Sequence, residues 1–251
     1  YKEGEWVGAG EPLMFLSGKF SQLVELETTY LQLIGPASVA AYNAFKMCTD
    51  LPNTAFMAMD ARHCAGAHMH ELMAYGASVG SNKAKKEVNA KGFIGSSCKS
   101  TSYLFKNEHA LGTMPHALIG YAGSTLNAAK FYHNTFPDEP LTVLVDYFGK
   151  EISDTLEVCK YYEKLIKEKK LFIRLDTHGG RYIEGLDMEK SYNILEKFNP
   201  SCIRTYRNEQ ELKWLVGAGV SAAAIIYLRK ILDKNSYTNV KIIACLLYTS
   251  D

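Results

Sequence analysis

The 251-residue chain is 47% hydrophobic and 22% charged, with 28 Lys and Arg against 27 Asp and Glu for a net charge of +1. That composition excludes a disordered chain, and the charge balance argues against a nucleic-acid or membrane-surface partner, since both want a basic excess. No apolar run approaches the roughly 18 residues of a membrane span, and the six cysteines include no C-x-x-C pair, which points to free thiols in a reducing cytoplasm.

In chain order, residues 1–18 are rich in Gly and Glu, with short extended pieces such as 12–16. Leu23, Leu26, Tyr30, Leu33 and Ile34 then mark an amphipathic helix, and Pro36 opens a second one through Val39, Tyr42 and Phe45. Residues 1–53 read as the remnant of an α/β sandwich domain. From residue 54 onward, apolar runs at 55–59, 92–94, 114–119, 141–145, 171–175, 212–216 and 240–244 read as strands alternating with helices. The clearest helix follows Asp154 as N-cap, with Leu156, Cys159, Tyr162, Leu165 and Ile166 on one face and Lys160, Glu163, Lys164 and Lys167 on the other. The strand-to-strand spacing of about 20 to 40 residues is that of βα units. Polar residues follow so many runs that an irregular TIM-like α/β barrel over 54–244 is expected. An open sheet would gather them at one switch point. Residues 245–251 fit no element and read as a non-native tail, and the chain as a whole reads as a fragment cut at both ends.

The polar residues at the run ends form a ring. They are Asp60-Ala61-Arg62-His63, Gly95-Ser96-Ser97, Gly112-Thr113-Met114-Pro115-His116, Asp146-Tyr147, Arg174-Leu175-Asp176-Thr177-His178-Gly179-Gly180-Arg181 and Gly217-Ala218-Gly219. Singly each has an ordinary explanation, as an N-cap, a turn or a packed histidine. Together, arginines, acids and a histidine on one face make a site for a phosphate-bearing substrate, because guanidinium forks match phosphate and carboxylate oxygens. A zinc cluster in 62–70 is disfavoured, since His68 and His70 diverge on a helix and a second ligand pair is missing. Residues 214–223 fit a strand–turn–helix G-x-G-x-x-A fingerprint, so a Rossmann oxidoreductase is an alternative. However, the expected acid does not close the next strand.

The segments Gly112-Thr113-Met114-Pro115-His116-Ala117-Leu118-Ile119, Leu144-Val145-Asp146-Tyr147-Phe148 and Ile173-Arg174-Leu175-Asp176-Thr177-His178-Gly179-Gly180-Arg181, in that order, resemble nicotinate phosphoribosyltransferase. Val24-Glu25-Leu26-Glu27-Thr28-Thr29-Tyr30 extends the likeness. The resemblance implies the type II phosphoribosyltransferase fold, an α/β sandwich followed by an irregular barrel. It also implies the joining of nicotinate to 5-phosphoribosyl 1-pyrophosphate with Mg²⁺, often coupled to ATP, in a homodimer. On that resemblance Arg62 holds the pyrophosphate, His116 accepts phosphate from ATP and Asp146 lies beside the pyridine ring. Arg174 pairs with the nicotinate carboxylate, Asp176 bonds the ribose hydroxyls, and Thr113, Gly217 and Gly219 approach the substrate. Two family features are missing: the Ser/Gly phosphate loop after the last strand and the amino-terminal aromatic clamp. Quinolinate and nicotinamide are alternative acceptors. The lysine-rich run expected of a quinolinate enzyme is replaced by Ala61-Arg62-His63-Cys64-Ala65. A barrel that binds without catalysis is the alternative of another class.

Overall fold

The computed structural model describes residues 1–205 and 208–245. The chain forms two compact units, Tyr1–Gly112 and Thr113–Asp251. The sequence places a boundary at 53/54 instead, and the helix packing of the first unit explains the difference.

In that unit, α1 (Phe20–Leu23) leads through a 3₁₀ turn into α2 (Glu27–Asp50), followed by β1 (Ala55–Ala58), α3 (Ala67–Val88), β2 (Gly92–Ser96) and α4 (Lys99–Ser102). Strand β1 pairs in parallel with β2. Residues 1–53 are helical where they are regular and contain no strand. They supply the helix that covers β2's own unit. Pro36 does not open a second helix either; it sits inside α2. A proline there removes one i→i−4 bond, and the close packing of α2 on α3 offsets the loss. A Cβ at Gly76 would lie 2.2 Å from the Ala37 carbonyl oxygen, and one at Gly80 2.0 Å from that of Ala41. Only glycine lets the two backbones come this near. Ala44, Cys48, Ala58, Ala84, Ala90 and Phe93 form the core beneath, with Phe56 stacked on Phe93 at 5.5 Å.

The second unit holds α5 (His116–Ala122), α6 (Thr125–Thr135), β3 (Leu141–Leu144), α7 (Glu151–Tyr161), α8 (Glu163–Lys167) and β4 (Leu171–Leu175). Then come α9 (Met188–Phe198), α10 (Pro200–Arg204), α11 (Glu209–Val216), α12 (Ala222–Lys234) and β5 (Lys241–Ala244). The strands form one parallel sheet in the order β3-β4-β5, in register from Leu141↔Leu171 and Phe172↔Lys241. Leu141, Val143, Leu171, Ile173 and Leu175 are buried, with Val158, Cys159, Leu228 and Leu232 of the flanking helices in the same core. Parallel strands covered in this way read as continuous apolar runs, which is why these were legible.

Two predicted strands are helices. At 114–119, Pro115 is extended and its carbonyl accepts from Leu118 N–H (3.1 Å), starting α5, whose Leu118, Ile119 and Ala122 share the core-facing side. At 212–216, Asn208 caps α11 by accepting from Glu211 N–H (2.9 Å), and Leu212, Leu215 and Val216 pack at helical spacing. The G-x-G turn at 217–219 therefore follows a helix, and the strand–turn–helix fingerprint fails. Nor is Asp154 an N-cap: it lies one turn inside α7, buried, accepting from Thr125 Oγ1. Residues 246–251, most of the predicted tail, lie outside the described residues. Cys245 N–H bonds Leu175 O at 2.9 Å and continues the β5 ladder. Among the described residues no helix is long and apolar enough to cross a membrane.

Candidate functional site

The carboxyl ends of neighbouring parallel strands carry the polar residues of the second unit. Asp146 lies two residues past β3 and Asp176 immediately past β4. His116 reaches this edge as the first residue of α5. Its Nε2 is 3.0 and 3.2 Å from the two Asp146 oxygens. The Asp146 hydrogen bond lifts the His116 pKa above 6.5; burial opposes this, the charges of Asp146 and Asp176 add to it, and Arg174 subtracts. With Nε2 turned to the carboxylate, Nδ1 is the ring nitrogen left for other chemistry. The Tyr147 ring stands beside the imidazole, 6.4 Å between centroids.

Arg174 projects from the last part of β4. Its Nη1 donates to Thr113 Oγ1 at 2.6 Å and its Nη2 pairs with Asp176 Oδ2. Its side chain is only 12% exposed. Two of its five N–H donors are thus engaged within the protein. Asp176 is 3% exposed, and its buried Oδ1 has no hydrogen-bond partner among the described residues. The Cys245 thiol lies against this carboxylate and is pushed up to about 11, mainly by burial and then by the Asp176 hydrogen bond and charge.

The loop after β4 is tied down by residues to which the sequence assigned no role. Arg181 Nη2 donates to the Asp146 carbonyl (2.7 Å) and pairs with Glu151 Oε1 (2.6 Å). Glu151 is fully buried and also accepts from Thr177 Oγ1 (2.9 Å) and Glu184 N–H (3.0 Å). Glu184 in return caps α7, accepting from the N–H groups of Ile152 (2.9 Å) and Ser153 (2.7 Å). Burial would raise the Glu184 pKa, but these bonds and that of Ser153 Oγ hold it below its ordinary value. Gly219 closes the arrangement: its N–H donates to Arg181 O at 2.7 Å. It has φ +78°, and a Cβ would lie 3.1 Å from Gly179 Cα.

The structure thus brings together Thr113, His116, Asp146, Arg174 and Asp176, with Gly219 joined through Arg181. Gly217 instead serves α11: its N–H caps Lys213 O at 2.7 Å, and a Cβ would lie 2.2 Å from that oxygen. Arg62 belongs to the first unit, in a 3₁₀ turn (Ala61–His63), with Nε 3.1 Å from His63 Nε2. Arg181 stands in a quoted motif but had no assigned partner. Glu151 looks in sequence like any first-turn helix acid, so nothing marked it. Among the described residues no three His, Cys, Asp or Glu side chains are grouped as metal ligands.

No family model and no curated protein matches the chain. A solved structure, nicotinate-nucleotide pyrophosphorylase from Pyrococcus furiosus, is similar with a TM-score of 0.53 and 21% identity. The match covers 85% of this chain and 40% of that one, so the chain spans well under half of that protein's length. At this identity the likeness is one of fold, and it agrees with a mixed α/β architecture built on parallel strands.

Proposed function

We propose that the protein is a phosphoribosyltransferase of pyridine-nucleotide metabolism, with nicotinate as acceptor and 5-phosphoribosyl 1-pyrophosphate as donor. The carrying observation is the cluster of His116, Asp146, Arg174, Asp176 and Thr113 at the carboxyl edge of β3 and β4. The motifs that resemble nicotinate phosphoribosyltransferase fall on these same residues, and a protein of similar fold is named for a nicotinate nucleotide and pyrophosphate. In this reading the β3-β4-β5 sheet belongs to an irregular barrel, and the protein works as a homodimer.

The chemistry suits the residues. Breaking the glycosyl–pyrophosphate bond builds positive charge on the ribose and negative charge on the leaving group. Asp146 and Asp176 supply carboxylates for the first, and the His116 imidazolium supplies a cation for the second. Arg174 offers its remaining N–H donors to the acceptor carboxylate while holding Asp176 in place. Gly219, bonded to the Arg181 carbonyl, keeps that turn tight enough for a sugar or phosphate to approach. Asp176 Oδ1, without a partner among the described residues, is a hard oxygen donor suited to Mg²⁺ or to a ribose hydroxyl. Mg²⁺ carried on the pyrophosphate would offset its charge as the bond breaks. Where ATP is used, Nδ1 of the neutral His116 ring would take the γ-phosphoryl group and ADP would leave, since Asp146 holds Nε2. Ring-nitrogen attack needs no strong base, so positioning contributes most.

The test is pyrophosphate release by the full-length gene product from 5-phosphoribosyl 1-pyrophosphate and Mg²⁺ with nicotinate, quinolinate or nicotinamide, with and without ATP. Nicotinate should give the highest kcat/KM. A preference for quinolinate or nicotinamide would reassign the acceptor, and binding of nicotinate without turnover on any of the three would overturn the enzyme reading.

A further inference from the structure

We infer that Glu151 is a positioning residue, a buried carboxylate that fixes the Asp146 loop through Arg181 and thereby sets the geometry of the His116–Asp146 pair. This rests on reading that pair as the working centre of the site. Glu151 opens α7, five residues past Asp146, and is 0% exposed. A buried carboxylate is costly unless paired and fully bonded. Here Oε1 takes the Thr177 hydroxyl (2.9 Å) and Arg181 (2.6 Å), and Oε2 takes the Glu184 N–H (3.0 Å). Capping α7 does not require it, because Glu184 already receives the Ile152 and Ser153 amides. What Glu151 adds is a fixed place for Arg181, a long side chain that is 38% exposed and has many rotamers of its own.

From that place the same Nη2 that meets Glu151 donates to the Asp146 carbonyl at 2.7 Å, and Nη1 donates to the Tyr182 carbonyl at 3.2 Å. Asp146 in turn holds His116 at 3.0 Å. The connection runs Glu151–Arg181–Asp146–His116, crossing from a buried acid to a half-exposed imidazole through one backbone carbonyl. Because Arg181 O also accepts from Gly219 N–H, the same residue anchors the turn before α12. One buried charge therefore holds the loops after β3 and β4 and the turn at 217–219 in a single arrangement.

The experiment is an NMR titration of His116 in the 251-residue chain, its signal assigned by loss in His116→Gln. The groups facing this ring are Asp146, Asp176, Arg174 and Tyr147, and the key substitutions leave all of them in place. Wild type should titrate above the ordinary histidine value. Glu151→Gln and Arg181→Met should both titrate lower than wild type as the Asp146 contact loosens. Asp187→Ala removes a helix cap elsewhere in the same unit and should leave His116 unmoved. If Glu151→Gln does not fold, Arg181→Met decides alone. A His116 titration unchanged in the folded variants overturns the inference, and so does an equal shift in Asp187→Ala. In the full-length gene product, Glu151→Gln should lose about tenfold in kcat with KM for the acceptor changed less. The titration uses no substrate, so failure of the proposed reaction leaves it readable.

Discussion

The His116–Asp146 contact couples protonation to stability at a half-exposed residue. Because the folded His116 pKa lies above 6.5, the stabilisation is fully present below that value and is lost as pH rises through the raised one. Asp146→Asn should therefore be less stable than wild type by at most about 1 kcal/mol near pH 6, the difference shrinking toward alkaline pH in denaturant titrations. In the proposed reaction the same substitution should lower kcat by about 10²-fold or more. Asp154 behaves oppositely to a salt-bridged acid. Burial raises its pKa above 3.8, and the Thr125 bond and Lys150 only partly oppose this. Its contribution is fully present at low pH and is lost as pH rises through the folded value. Asp154→Asn keeps an acceptor for Thr125 without the charge, so at pH 7 its denaturation midpoint should equal or exceed that of wild type. Asp154→Ala, which strands the hydroxyl, should lose about 1–3 kcal/mol. Residues at strand ends were readable in the sequence because a strand end fixes which edge they occupy. Glu151 was not, since its partners Thr177, Arg181 and Glu184 lie 26 to 33 positions away along the chain.

Among the elements, β3, β4 and β5 were legible as runs too apolar for anything but a covered parallel strand. The runs at 114–119 and 212–216 misled because Pro115 and Lys213 interrupt them in ways that suit helices, with apolar residues spaced by three and four. The continuity of α2 from Tyr30 through Phe45, across the predicted helix boundary, was hidden by Pro36, whose effect is local and whose compensation comes from α3. That compensation is testable. The Ala41 carbonyl stands 2.0 Å from where a Gly80 Cβ would be, and a backbone atom cannot swing aside as a side-chain tip can. Gly80→Ala should force α2 away from α3 and cost about 1–3 kcal/mol or more, seen as a lowered Tm.

For the whole molecule, fold class was legible and closure was not. Alternating helices and covered strands indicate an α/β chain, whereas the grouping of strands into β1-β2 and β3-β4-β5 depends on pairings that composition does not encode. Each unit carries its own internal reporter. Cys48 is 0% exposed in the first core and Cys159 0% in the second, where burial pushes its pKa to about 12. Both thiols should resist a disulfide reagent at pH 8 while Cys98 and Cys202 react. Stopped-flow labelling across a denaturant series should then give the unfolding of the two units separately, with Gly80→Ala accelerating only Cys48.

The saturation of Glu151 also bears on how such a sequence can change over generations. A carboxylate serving Thr177, Arg181 and the Glu184 backbone at once leaves no neutral single step at position 151. Positions 151 and 181 should drift as a linked pair, with threonine or serine retained at 177, while the lysines on the outer faces of α7 and α8 vary freely. An ancestor that lost either partner would be recovered most directly by reversion, which makes this small knot of charge a more durable lineage marker than the core around it.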